Sequence, residues 1–184
     1  MTQSVSATEA VHPHSGTYNE REWVEEAVEE GYLSIEKHEV GIGEATDEII
    51  SHSIFGGTGE SEKHFRLKQR SAQYLVQERG VDARHVGQEV EYYAALADVA
   101  AVPEGLFVEC GDVSPEKVLR AFGICKRRRS GLVQHSPPAV EELILVPYGQ
   151  DDNRLAVYVT TLENPPEKTS DYDPDRSRVV RDNA

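Results

Sequence analysis

Two carboxylates stand in neighbouring apolar segments in the middle of this chain. Asp98 lies inside one short segment, and Glu109 ends the next. The turn Pro103-Glu104-Gly105 predicts that the segments pair as a β-hairpin, in which the two acids face each other or sit one step diagonal. Burying carboxylates on a sheet is costly unless they bind something. Their oxygens suit Mg²⁺ or Mn²⁺, so a metal site is one interpretation; solvated acids at exposed strand ends are the other.

Further residues with suitable chemistry lie on the flanking segments. Glu91 and Glu89 are two apart and should share a strand face, and we expect Glu91 to assist as a third metal ligand. Lys117 or Lys68 would steady an attacking water and a phosphate, although each also fits an ordinary surface lysine. His64 precedes Lys68 by four residues, so the two would hold a phosphate or form the polar side of a half-buried helix.

One basic cluster interrupts the acidic sequence, and it consists of Lys126, Arg127, Arg128 and Arg129. A local patch of this kind is sufficient to contact a nucleic-acid backbone. The same four cations would equally complement the macrodipole at the C-terminus of a helix. The cluster is therefore a nucleic-acid-binding candidate with an equally good structural alternative.

The elements that must position these residues follow the order α-β-β-β-α-β. Helical spacing of apolar residues predicts a helix over 60–79 that Gly80 ends. Three strands are predicted over 88–94, 96–102 and 106–110. Ser114 and Pro115 begin a second helix that is predicted to run to about Arg128. Strands over 132–134, 143–147 and 155–160 complete an α/β (α+β) fold with a mixed central sheet.

The segment from about Glu60 to Thr160 resembles the core of the PD-(D/E)XK, or restriction-endonuclease-like, nuclease superfamily. The resemblance rests on Asp98, the ten residues after it, Glu109 at a strand end, and the helices on either side. It implies that the two acids bind Mg²⁺ or Mn²⁺ and that the chain hydrolyses nucleic-acid phosphodiester bonds. The superfamily pattern places a lysine two residues after the glutamate, and Gly111 stands there. Lys117 or Lys68 would have to replace it.

The rest of the chain divides by composition. Residues 1–17 are predicted to be a disordered lead, and 18–59 an acidic N-terminal helical extension. Residues 60–162 form the predicted core, and 163–184, rich in Pro, Asp and Arg, a disordered tail. The apolar face of the helix around Trp23 would serve a homodimer contact or a protein partner.

Charge and composition limit the environment in which this chain works. It carries 33 acidic against 19 basic residues, a net charge of -14, and only six lysines. Such a surface suits concentrated salt, where screening lengths shrink to about 3 Å at 1 M, although a merely acidic protein fits as well. No apolar run approaches the roughly 20 residues that span a bilayer, and the start lacks signal-peptide features. We therefore expect a cytoplasmic protein, no membrane contact, and reduced thiols rather than a disulfide at Cys110 and Cys125.

Three functional interpretations follow. The first is a metal-dependent nuclease or endonuclease acting on DNA. The second is a catalytically inactive nuclease-like protein, nucleic-acid-binding or regulatory, from a high-salt organism or its virus. The third is an acidic interaction protein of unrelated mixed fold, and it gains support if Asp98 and Glu109 lie on opposite faces of the sheet.

Overall fold

The computed structural model of this 184-residue chain describes residues 2–6, 10, 18–53, 59–92, 95–127, 131–134 and 139–166. Within these ranges the chain forms a mixed α+β fold with four α-helices around a seven-stranded mixed sheet. The helices are α1 (Tyr18–Glu29), α2 (Asp47–Ser51), α3 (Glu62–Gln77) and α4 (Pro115–Ala121). The strands are β1 (Thr2–Ser4), β2 (Leu33–Gly41), β3 (Val86–Tyr92), β4 (Ala95–Ala101), β5 (Leu106–Cys110), β6 (Ile124–Arg127), β7 (Gly131–Gln134), β8 (Glu142–Val146) and β9 (Arg154–Leu162).

The large sheet has the strand order β1-β2-β9-β8-β5-β4-β3, and β6 and β7 form a separate antiparallel pair. Strands β3, β4 and β5 form an antiparallel meander, whereas β5 and β8 are parallel. A parallel pair requires a crossover, which here contains α4 and the β6–β7 hairpin. The predicted order of helix, three strands, helix and strand is therefore present, with strand ends within two residues of those expected.

Helices cover both faces of the sheet. Phe107 and Leu143 pack in a core with residues of α1 and α4, whereas Val108 and Ile144 pack with residues of α2 and α3. Successive side chains on a strand point to opposite faces, so β5 and β8 are apolar on both sides. This explains why their sequences are continuous apolar runs rather than alternating ones.

The helices that flank the predicted site begin where the sequence indicates. Ser61 caps α3 by accepting a hydrogen bond from the backbone N–H of His64. Ser114 caps α4 in the same way through the N–H of Lys117, and Pro115 occupies the first turn. Each cap satisfies a backbone donor that has no partner inside the helix.

The second helix is shorter than predicted. It ends at Ala121, and Gly123 has a φ of 65°, a left-handed conformation that stops a helix. Lys126 and Arg127 therefore lie on β6, so the prediction of a helix to Arg128 is wrong and its macrodipole does not explain the basic cluster. Arg128 and Arg129 lie outside the described residues.

The predicted helical extension also needs correction, because the sheet crosses the expected boundary between residues 59 and 60. Strand β2 pairs with β9 along its whole length. Its buried Leu33 and Ile35 alternate with more exposed residues, but the polar stretch that follows hides this pattern. Strand β1, inside the predicted disordered lead, pairs with β2. Residues 163–166 of the predicted tail are described, and the remainder of that prediction lies outside the described residues.

Two remaining expectations concern thiols and membranes. Cys110 is buried and Cys125 is half-buried, and both are free thiols. None of the described helices combines the length and the apolar character needed to cross a bilayer.

Candidate functional site

Asp98 and Glu109 lie on adjacent antiparallel strands. The pairing of β4 with β5 includes Val99 opposite Val108. This pair is the last of the register, and Asp98 and Glu109 lie just beyond it on the two strands. The 103–105 turn therefore pairs β4 with β5 as predicted, but the regular pairing does not extend to the two acids.

Glu109 is a fully buried carboxylate, with 0% of its side chain exposed. The hydroxyl of Tyr92 donates to Oε1 at 2.7 Å, and the ammonium of Lys117 contacts Oε2. Burial raises the pKa of Glu109 to about 7; Lys117 opposes this shift, whereas Asp98 adds to it by repulsion. Near neutral pH this carboxyl group is therefore present in both its protonated and its ionised form.

Asp98 is held from two directions. Its Oδ2 accepts a hydrogen bond from the backbone N–H of Cys110 at 2.6 Å, and its Oδ1 lies 3.1 Å from Nε2 of His64. The other ring nitrogen of His64 lies 3.1 Å from the hydroxyl of Tyr148. A continuous chain of polar contacts thus runs from Tyr148 through His64 to Asp98.

Lys68 lies in the interior, between two more acids. Its ammonium is 2.8 Å from Oε1 of Glu60 and 2.6 Å from Oε1 of Glu89. Burial works against the charged form of Lys68, but the hydrogen bonds that its ammonium donates to the two carboxylates, together with their negative charge, outweigh it, so its pKa is raised. Glu60 also lies 3.7 Å from Nε2 of His64, which brings the predicted pair His64 and Lys68 to one carboxylate.

The structure brings Glu89, rather than Glu91, toward this cluster. Glu89 has a φ of 52°, which is uncommon for a residue with a side chain, and it directs its carboxylate to Lys68. Such a residue interrupts the alternation of the strand, so the assumption that Glu89 and Glu91 share a face does not hold. Glu91 is exposed, and its predicted role as the assisting ligand is not supported by this placement.

The side chains of Asp98 and Glu109 are engaged from different sides of the sheet. His64 contacts Asp98 from α3, whereas Lys117 contacts Glu109 from α4. These two helices pack in the separate cores on opposite faces. The two carboxylates therefore point to opposite sides of the sheet instead of facing each other, and this arrangement supports the third interpretation, an acidic interaction protein.

The backbone conformation at Gly111 and the ring of Tyr148 disfavour a lysine side chain at this position. Its φ is 85°, and a Cβ built there would lie 2.6 Å from Cζ of Tyr148. A side chain at this position would be strained by the backbone and would collide with a ring. The ammonium groups near the acids come instead from Lys117 at Glu109 and from Lys68 at Glu60 and Glu89.

Lys126 of the basic cluster contacts a different part of the molecule. The ammonium of Lys126 lies 3.0 Å from Glu26 of α1 and 6.0 Å from the ring centroid of Trp23. Its predicted contact with nucleic acid remains a prediction.

The residues fit a divalent cation in donor type. In the described ranges, no three His, Cys, Asp or Glu side chains form a group that could hold a metal ion. Mg²⁺, however, commonly binds through one or two carboxylates and completes its coordination with water and phosphate oxygens. Burial is the main cause of the raised pKa of Glu109, and repulsion from Asp98 adds to it; a cation near Glu109 would favour its ionised form.

Sequence reasoning did not select several members of the cluster. Glu60 precedes His64 and Lys68 by four and eight residues, a helical spacing that could have identified it. No local signal marks Tyr92 or Tyr148, because tertiary packing brings both tyrosines to the acids.

The functional proposal for this chain rests on the geometry of the site. A scan against protein-family models, a search of curated proteins and a search of solved structures each returned no match.

Proposed function

We propose that this chain is a Mg²⁺- or Mn²⁺-dependent nuclease that hydrolyses DNA phosphodiester bonds in the cytoplasm, with Asp98 and Glu109 as metal ligands. The observation that supports the proposal is the position of these two acids on the adjacent strands β4 and β5, close enough that repulsion from Asp98 helps to raise the pKa of Glu109. A bound divalent ion would supply a polarised phosphate and an activated water.

The surrounding residues have separable parts in this proposal. The Lys117 ammonium contacts Glu109 and is 32% exposed, so it is able to meet a phosphate oxygen as negative charge develops. Lys68 is fully buried between Glu60 and Glu89, so its part is to hold these acids in place. His64 holds Asp98 in orientation through the hydrogen bond to Oδ1.

The test is an activity assay on plasmid, linear and single-stranded DNA, with Mg²⁺ or Mn²⁺ and across a range of salt concentrations. The double variant Asp98→Asn/Glu109→Gln keeps the shape of both side chains and should lose more than about 100-fold in rate. This expectation follows because even the partners of metal ligands contribute about 10–100-fold. Glu36→Gln/Glu39→Gln, which alters two exposed acids of β2, should cleave as the unmodified protein does.

Cleavage that survives in the Asp98→Asn/Glu109→Gln variant would remove the proposal. Preparations of the unmodified protein and the variant must be purified identically, since trace nuclease contamination would contribute equally to both. Chelation of the divalent ion should stop cleavage by the unmodified protein and leave its fold intact.

A second candidate is a nuclease-like protein that binds nucleic acid without cleaving it. It is favoured by the contacts already made: Asp98 and Glu109 each use both oxygens in protein contacts, from different sides of the sheet. Calorimetric titration separates the candidates. Mn²⁺ binding that is lost in Asp98→Asn/Glu109→Gln favours the nuclease, whereas nucleic-acid binding without Mn²⁺ binding favours the second candidate.

A further inference from the structure

A cleft of about 450 Å³ lies between α3 and the loop that joins β8 to β9. Its lining consists of Glu62, Lys63, Arg66, Leu67, Arg70, Tyr148, Gly149, Gln150 and Asp152. The volume falls within the roughly 300–1,000 Å³ typical of sites for small ligands.

The charge of this cleft differs in sign from that of the chain. Lys63, Arg66 and Arg70 face only two acids in the lining, Glu62 and Asp152, whereas the whole chain has 33 acidic and 19 basic residues. The three cations are three and four residues apart, so they project from one side of α3. A local positive surface on an acidic protein favours an anionic occupant.

The wall opposite α3 is fixed by hydrogen bonds. Arg70 donates to the carbonyl oxygens of Asp151 at 2.7 Å and Arg154 at 2.8 Å. The side chain of Gln150 donates to the carbonyl oxygens of Pro147 and Ala156 and accepts from the N–H of Ala156. The cleft is therefore formed before any ligand enters, which reduces the entropy lost on binding.

Two of the cations remain accessible to a ligand. Lys63 is exposed, and its ammonium lies 4.6 Å from the ring centroid of Tyr148. Arg66 is 72% exposed and pairs with Glu62 one helical turn away. Exposed pairs of this kind contribute little stability, so Arg66 is able to exchange its partner for a phosphate at small cost.

The cleft leads to the carboxylates of the candidate site. Tyr148 belongs to the cleft lining, and its hydroxyl contacts His64, which in turn contacts Asp98. An extended anion in the cleft would therefore end two side chains away from Asp98.

We propose that this cleft binds the backbone of a single nucleic-acid strand, with Lys63 and Arg66 contacting successive phosphates. Single strands bind in positively charged grooves that follow the backbone, and a cleft of about 450 Å³ has room for a short stretch of one strand. The proposal rests on nucleic-acid binding, which both candidates in the preceding section share, and is independent of cleavage.

Fluorescence anisotropy with a labelled thymidine oligonucleotide of about 12 nucleotides tests this site. The titration uses the full chain in EDTA, so that nothing is cleaved, and compares the single strand with the matching duplex. Lys63→Gln and Arg66→Gln should each weaken single-strand binding about tenfold and lower the slope of log affinity against log salt by about 0.7. Both side chains are exposed, so thermal unfolding midpoints should stay unchanged.

Arg84→Gln is the matched control. Arg84 is 81% exposed and pairs with a nearby acid, Asp82, much as Arg66 pairs with Glu62. It follows the C-terminal end of α3, whereas Lys63 and Arg66 lie near the N-terminal end. Removing its charge should leave single-strand affinity as it is.

Several results would overturn the inference. Unchanged single-strand affinity in Lys63→Gln/Arg66→Gln would remove the cleft as the binding site, and an equal loss in Arg84→Gln would reduce the effect to general charge. Tighter binding of the duplex would refute a single-strand site.

If Lys63→Gln/Arg66→Gln alone loses binding but the unmodified protein never cleaves, the inference stands and the nuclease proposal fails. If the variant binds and cleaves normally, the inference fails and the nuclease proposal stands.

Discussion

Within the part of the chain that the structure describes, two fully buried charged side chains are compensated in different ways. Lys68, with 0% exposure, lies within 2.8 Å of two carboxylates, those of Glu60 and Glu89. Glu109, also with 0% exposure, has one ammonium, that of Lys117, and one phenol hydroxyl as partners. Negative charge therefore exceeds positive charge around the lysine, whereas the glutamate is left with a single cation and a repelling neighbour.

The difference in compensation is reflected in the pKa shifts of the two side chains. Lys68 keeps its charge because its hydrogen-bonded acids outweigh the cost of burial, and its pKa is raised. The pKa of Glu109 rises to about 7 because burial outweighs the help from Lys117 and Asp98 adds repulsion. A buried ion whose charge is fully compensated, such as Lys68, stabilises the fold. A buried carboxylate with too little positive charge nearby, such as Glu109, would be stabilised in its ionised form by an additional cation.

The largest expected effect is the loss of the Lys68 ammonium. Lys68→Met would leave Glu60 and Glu89 without their shared cation in a buried setting, which should lower the free energy of unfolding by about 4 kcal/mol. Urea denaturation measures this loss. Lys63→Met, which changes an exposed lysine on the same helix, should cost less than about 1 kcal/mol. Equal costs for the two variants would contradict the structural role given to Lys68.

The next effect concerns the pH dependence contributed by Glu109. Its folded-state pKa is about 7 against an ordinary value of 4.5, so the folded protein retains a proton that the unfolded chain releases first. The contribution of Glu109 to the free energy of unfolding is therefore fully present below about pH 4.5. It is lost as pH rises through about 7, which lowers the free energy of unfolding by about 3 kcal/mol. Glu109→Gln should remove this fall.

Urea unfolding between about pH 5 and about pH 8 checks the difference between the unmodified protein and Glu109→Gln. Glu39→Gln, at an exposed acid, serves as the control and should keep the slope. Under the nuclease proposal, saturating Mn²⁺ should flatten the slope of the unmodified protein, because a bound cation favours the ionised carboxylate. A slope that persists in Glu109→Gln would assign the pH dependence to another group.

A smaller effect is expected at Gly111, the position where the superfamily pattern has a lysine. Gly111→Ala places a Cβ against the ring of Tyr148 and forces a left-handed backbone on alanine. Gly80→Ala imposes the backbone strain alone, since a Cβ there meets nothing within 4 Å. We expect Gly111→Ala to be less stable than Gly80→Ala by about 2 kcal/mol because of the collision. Equal midpoints in thermal unfolding would show that Tyr148 moves aside freely.

The smallest effect should come from Lys117. Below about pH 6 Glu109 is largely protonated, so Lys117→Met should cost less than about 1 kcal/mol there. Above neutral pH the same change leaves an ionised carboxylate buried beside Asp98, and the cost should rise. Chemical denaturation at both ends of this range tests the contrast with Lys68→Met, whose cost should vary little with pH because the pKa of Lys68 is raised.

Local signals in the sequence predicted several of these features. The 103–105 turn predicted the antiparallel pairing of β4 with β5, because a tight turn joins neighbouring strands. Ser114 marked the start of α4 through capping chemistry that involves only a few neighbouring residues. Helical spacing also placed His64 and Lys68 on one side of α3.

Other features had no local signal. The positive φ of Glu89 separates it from Glu91 and sends its carboxylate to Lys68. The pairing of β2 with β9 joins residues more than a hundred positions apart. The early end of α4, in contrast, had a local signal that the prediction did not use, because Gly123 adopts a left-handed conformation that ends the helix.

The sequence by itself determined the types of chemical group available, the α-β-β-β-α-β order and the pairing of β4 with β5, because these depend on composition, periodicity and a tight turn. Only the tertiary structure decided which lysine meets which carboxylate, which side of the sheet each acid uses, and how α3 and the β8–β9 loop form a positive cleft. Those outcomes depend on how helices pack on the sheet, and packing joins residues that are distant in the chain.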